Sequence, residues 1–119
     1  MIRSSLAALV LGLSVATAAQ AHAFLDHAVP KVGAVLQEPP AEVRLWFGEA
    51  VEPAFSSIEV LDASGRRVQT GPVQVDGADR MVLRVALPPL PSGAYVVRWR
   101  AVSVDTHATE GRFGFRIQH

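Results

Sequence analysis

Cysteine is absent from all 119 residues. Its absence excludes disulfides and thiolate metal sites, so the fold is held by packing and any metal by nitrogen, oxygen or thioether ligands. Neither sign of charge is in excess, with 11 Lys and Arg against 11 Asp and Glu. That balance removes the basic field that nucleic acid or an anionic membrane surface selects. The one extended apolar run, residues 6–15, is well short of the roughly 18 to 20 residues that cross a bilayer. Gly-rich phosphate loops are missing, and no serine sits in a nucleophile-elbow context, so nothing points to phosphoryl or acyl transfer. Methionine occurs twice, at Met1 and Met81.

What is present starts with a secretory pattern. Arg3 supplies a positive n-region, residues 6–15 a short h-region, and Ala19-Gln20-Ala21 a small-residue cleavage site. Residues 1–21 are expected to be a cleaved signal peptide and residues 22–119 a single mature domain. Its 98 residues carry 10 basic and 11 acidic side chains. That size holds one core. Cleavage makes His22 the first residue, which then offers a free α-amine beside its imidazole. Amine and Nδ1 together close a chelate ring suited to copper(II), an ion that prefers tetragonal nitrogen and oxygen ligands.

The mature chain is a series of short alternating runs separated by Gly, Pro, Asp and Ser, the pattern of a small all-β sandwich or barrel of about seven strands. Strands are expected over residues 23–29, over a segment with Val43, Leu45 and Phe47 on one face, and over residues 55–61. Asp62-Ala63-Ser64-Gly65 reads as a turn, with residues 66–70 returning as a hairpin partner. Further runs cover residues 73–75 and 81–87, where Met81, Leu83, Val85 and Leu87 share a face. Tyr95, Val97, Trp99 and Ala101 share the inward face of the clearest strand, and Phe113, Phe115 and Ile117 that of the last. Leu90-x-x-Gly93-x-Tyr95 resembles the tyrosine corner of immunoglobulin-like Greek-key sandwiches.

Between the last two strands lies Asp105-x-His107. Residues two apart in extended backbone share a face, so this carboxylate and imidazole can converge on one ion. Alone the spacing is common. With the amine and imidazole of His22 it completes a three-nitrogen, one-oxygen set that matches an equatorial copper(II) plane.

Four segments together also resemble a known family: His22-Ala23-Phe24-Leu25-Asp26-His27-Ala28-x-Pro30, Val43-Arg44-Leu45-Trp46-Phe47-x-Glu49, Leu90-Pro91-x-Gly93-x-Tyr95-x-Val97-x-Trp99, and Val102-Ser103-x-Asp105-x-His107 closing in Gly111-x-Phe113-x-Phe115. They are similar to the CopC copper-resistance family over the whole mature chain. The resemblance implies a secreted, periplasmic Greek-key sandwich with an immunoglobulin-like or cupredoxin-like core. It also implies one copper(II) ion on His22, Asp105 and His107, and Glu49 beside the site orienting a ligand or the amine. A CopD-like inner-membrane protein is the implied recipient. The mature chain is expected to be a monomer with no membrane insertion and no catalytic activity.

Some family members also hold copper(I) in a methionine-rich segment, whose soft thioethers suit that ion. Here Met81 stands alone after cleavage, so a copper(I) site is not expected. His27 reads as a solvent-facing histidine at a strand end and His119 as a frayed terminus. Two other readings remain open on the residues: a copper oxidase or monooxygenase using an N-terminal histidine chelate, and a sandwich module for protein contact. Reductant-driven peroxide turnover marks the first, and failure to bind copper(II) marks the second.

Overall fold

The computed structural model describes residues 24–78 and 80–119, which form two four-stranded sheets packed face to face. The expected signal segment and His22 lie outside these residues. Eight strands are present among the described residues: β1 (Leu25–Val29), β2 (Val35–Leu36), β3 (Glu42–Phe47), β4 (Ser57–Leu61), β5 (Thr70–Asp76), β6 (Val82–Ala86), β7 (Gly93–Val102) and β8 (Ala108–Ile117). The first sheet runs β1-β3-β6-β5 and the second β2-β8-β7-β4. All pairings are antiparallel except that of β2 with β8.

Period-two alternation sets the core. Val43, Leu45 and Phe47 from β3 meet Leu83 and Val85 from β6 on one side of it. Val97, Trp99, Phe113, Phe115, Ile58 and Val60 close it from the second sheet. Each strand turns its other parity outward because successive side chains alternate across the pleat. Tyr95 lies in the core against Phe115, and its hydroxyl donates to the Pro91 carbonyl at 2.7 Å, so the tyrosine corner is present. Gly111 lies opposite Trp99, and a β-carbon there would come within 2.8 Å of the indole. Only glycine lets that ring lie flat across β8.

Several local expectations differ from what forms. The 66–70 segment returns beside β4 without forming a regular strand: it is held by the Leu61 to Arg67 bridge, a Val68 N–H bond to the Val60 carbonyl and a Val60 N–H bond to Gln69 Oε1. The chain then crosses to the other sheet, where β5 pairs with β6. The turn itself is real: Asp62 Oδ1 accepts from the N–H groups of Ser64 and Arg66, and Gly65 takes φ +85. Residues 53–55 form a single 3-10 turn rather than the start of β4, which leaves Phe55 exposed. β2 arises inside what reads as a loop. Met81 precedes β6 and is half-buried. β5 is irregular, its register shifting between Thr70 and Gln74 where Gly71, at φ +79, is followed by Pro72.

Candidate metal centre

Asp105 and His107 sit in the turn joining β7 to β8. The turn is tight rather than extended: the Ser103 N–H donates to the His107 carbonyl and the Thr106 N–H to the Ser103 carbonyl, each at 2.9 Å. Thr106 takes φ +73 to close it, a left-handed conformation that a β-branched residue rarely adopts. The approach foreseen from an extended spacing is therefore produced by a turn. His107 Nδ1 lies 3.4 Å from Asp105 Oδ1, and both side chains are about half exposed, at 56% and 54%.

Ser103 organises this pair. It continues the inward parity of Tyr95, Val97, Trp99 and Ala101 and is fully buried. Its hydroxyl donates to Asp105 Oδ1 and lies 3.3 Å from the His107 N–H, from which it accepts. That hydroxyl holds the Asp105 carboxyl below the usual aspartate value against the opposing effect of desolvation, and His107 adds lesser contributions in the same direction as the hydroxyl. The carboxylate is thus ionised and oriented before any cation arrives. The role of Ser103 went unread in the sequence, although its parity with the buried face of β7 was available.

A second segment, residues 48–52, is laced to this turn. The Val104 N–H donates to the Ala50 carbonyl at 3.2 Å, the Glu52 N–H to the Val102 carbonyl at 2.8 Å, and Val51 bridges Ser103. Phe24 lies on the other side of the segment. Its carbonyl accepts from the Gly48 N–H at 3.1 Å, and its ring stands 3.6 Å from where a β-carbon on Gly48 would lie. Glu49 is half-buried between those two attachments.

The remaining candidates have local partners. His27 stacks on Trp46 with ring centroids 4.3 Å apart, and its Nδ1 lies 2.8 Å from Asp26 Oδ2. Trp46 falls on the outward face of β3 with Arg44, whose guanidinium stands 5.9 Å from the indole. Asp76 and Glu52 are ion-paired with Arg44 and Arg80, and the terminal His119 is tied to Ser92 through its N–H at 3.1 Å. Among the described residues no group of three or more His, Cys, Asp and Glu converges on a metal position. Of the expected ligands, Asp105 and His107 are the two that the described residues bring together.

Two packed sheets, antiparallel but for β2 with β8, and a tyrosine corner define a small immunoglobulin-like β-sandwich, and comparison with known proteins places it among copper proteins. Residues 25–118 match the family model described as the CopC domain, so the chain belongs to the CopC family. It is 34% identical over 118 residues to protein YobA of Escherichia coli K12, covering 98% of this chain and 94% of that one. It is also 34% identical over 98 residues to the copper transport protein CutJ of Bacillus subtilis, covering 82% of this chain but 18% of that much longer one. Among solved structures, CopC from Methylosinus trichosporium OB3b superposes with a TM-score of 0.77 at 36% identity, covering 82% of this chain and 94% of that one. PcoC, described as a methionine-rich copper resistance protein from Escherichia coli, gives a TM-score of 0.71 at 32% identity, covering 82% of this chain and all of that one. Family and fold together tie this chain to copper.

Proposed function

We propose that the chain is exported to the periplasm, cut after Ala21, and acts there as a non-catalytic carrier or buffer of one copper(II) ion. The ion is held by the α-amine and imidazole of His22 with the Asp105 carboxylate and the His107 imidazole. One observation carries the reading. Phe24, two residues after His22, is bonded to Gly48, and two residues beyond Gly48 the Ala50 carbonyl is bonded to Val104 in the ligand turn. Two residues of chain span at most about 7 Å, so a short hydrogen-bonded path ties the start of the described chain to the turn that carries Asp105 and His107.

Chemistry supports the same choice of ion. Three nitrogens and one anionic oxygen suit tetragonal copper(II), and the set includes no soft ligand. Met81 is the one methionine left after cleavage, in contrast to the methionine-rich PcoC, so no copper(I) site is proposed. Glu49, between the Phe24 and Val104 attachments, would orient the amine or a ligand. The relation to CutJ supports delivery to a larger copper transport protein, and a CopD-like inner-membrane protein is the proposed recipient.

Mass spectrometry of the exported protein with and without copper tests cleavage and stoichiometry together. A mass beginning at His22 that gains one copper is expected. Extra residues placed before His22 should weaken copper(II) binding by at least about a hundredfold, since the amine leaves the chelate. Equal affinity of the extended and native starts would overturn the ligand set.

A further inference from the structure

The two outer sheet faces handle arginine differently. On the first sheet, Arg44 and Arg84 are direct cross-strand neighbours, and carboxylates surround both. Arg44 pairs with Glu42 at 2.8 Å and with Asp76, while Arg84 lies 3.8 Å from Glu42 and 4.0 Å from Asp76. Two arginines share two carboxylates, which removes most of the like-charge penalty of a cross-strand pair.

On the second sheet, Arg98 of β7 and Arg112 of β8 are likewise direct neighbours. Their surroundings are not balanced. Glu59 is the one carboxylate ion-paired there, to Arg98 and, at 3.0 Å, to Arg67. Arg112 and Arg116 make no ion pair or side-chain hydrogen bond among the described residues. Arg100 stands opposite Glu110 in register but donates to the Phe55 carbonyl at 3.3 Å. Five guanidiniums on this face, from Arg67, Arg98, Arg100, Arg112 and Arg116, meet two carboxylates, Glu59 and Glu110. Between them runs an open groove of about 520 Å³ over β4, β7 and β8.

We propose that this face docks an acidic segment of a partner protein, whose carboxylates bridge Arg98, Arg112 and Arg100. Charge complementarity selects the partner. The backbone positions of these arginines repeat about 7 Å apart along β7 and about 5 Å across to β8, spacings that alternate carboxylates of an extended segment can meet. Arginine gives each contact a bidentate fork. Glu59 and Glu110 within the grid favour a patterned protein surface over an anionic bilayer, which would repel both equally and gain nothing from register. The same hairpin carries the Asp105 and His107 turn, so a docked partner lies alongside it. The inference stands whether or not that turn binds copper.

Backbone amide shifts on titration with a short poly-L-glutamate, at about 0.01 and about 0.15 M ionic strength, provide the test. Saturable shifts confined to β4, β7 and β8 are expected, weakened at the higher salt. The Arg98→Ser/Arg112→Ser variant should bind about tenfold more weakly, as should Arg100→Ser, while Arg84→Ser on the compensated face should bind as the parent does. Thermal melts of each variant establish that it is folded. Absence of saturable shifts, shifts spread over both sheets, or full binding by both second-face variants would each overturn the proposal. So would saturation of the same amides by inorganic phosphate at equal charge concentration, or binding to phosphatidylglycerol vesicles that poly-L-glutamate cannot displace.

Discussion

The fully buried hydroxyl of Ser103 donates to Oδ1 of Asp105, a half-exposed carboxylate two residues further along the same turn. One buried group therefore aims one proposed ligand. Replacing Ser103 by alanine removes that hold and an acceptor for the His107 N–H. Copper(II) affinity should fall by about tenfold, as when other outer groups around metal ligands are lost. Stability should fall by about 1–2 kcal/mol, since the turn loses buried hydrogen bonds. Competition titration and a thermal melt on the same sample check both. An unchanged affinity would show that Asp105 is oriented by something else.

His27 is engaged with Trp46 and Asp26. His27→Gln should leave copper(II) stoichiometry and affinity unchanged while altering the Trp46 emission, because the stacked ring is removed. A tenfold loss of affinity would make His27 a ligand and require a different coordination set.

Gly111→Ala places a methyl group about 2.8 Å from the Trp99 ring. Trp99 also packs edge-on to Phe47, with centroids 5.3 Å apart, so it cannot withdraw without opening the core. Overpacking of this kind costs about 1–3 kcal/mol. A lowered melting temperature with a shifted tryptophan spectrum is expected, and a variant as stable as the parent would mean that the end of the sandwich yields easily.

Among the described residues three carboxyls are held below their ordinary values: Glu59 by its Arg98 hydrogen bond, Asp62 by the Ser64 side chain, and Asp105 by Ser103. A carboxyl whose value is lowered by folding releases its proton more readily in the folded state. The stability it confers is complete above the ordinary values of 3.8 for Asp and 4.5 for Glu. It is lost as pH falls through the lowered folded values. Melting temperature should therefore be flat above about pH 5 on this account and drop below about pH 4. Asp62→Asn should flatten the acid limb. A parent and variant with parallel acid limbs would remove Asp62 from the explanation.

Much of this fold is legible in alternation alone. The inward faces of β3, β7 and β8 are those read from Val43 to Phe47, Tyr95 to Ala101 and Phe113 to Ile117, because burial on one side of a pleat leaves a period of two. The tyrosine corner is equally local, since a phenol four residues from its acceptor needs no distant partner. β2 escapes because two residues carry no period. The path after Gly65 escapes for another reason: Asp62 to Gly65 specifies a reversal but not how long the returning chain stays beside β4 before it crosses to β6. At the candidate site the acid and imidazole are visible as a spacing. Ser103 is not, because a small polar residue on a buried parity looks like a strand ending until its partner is seen.

The break in β5 bears on how the protein behaves in company. β5 is an outer strand, bonded to β6 on one side and, among the described residues, paired with no strand on the other. An open strand is a template on which a second copy can add its own, and a disulfide-free sandwich has no covalent clasp against such growth. Pro72 offers no N–H for an incoming strand, and the shifted register around Gly71 breaks the row of groups that it would need. The same irregularity that hides this strand from its pattern thus guards the sheet against fibre-like extension, at the margin where crowding of many copies would test it.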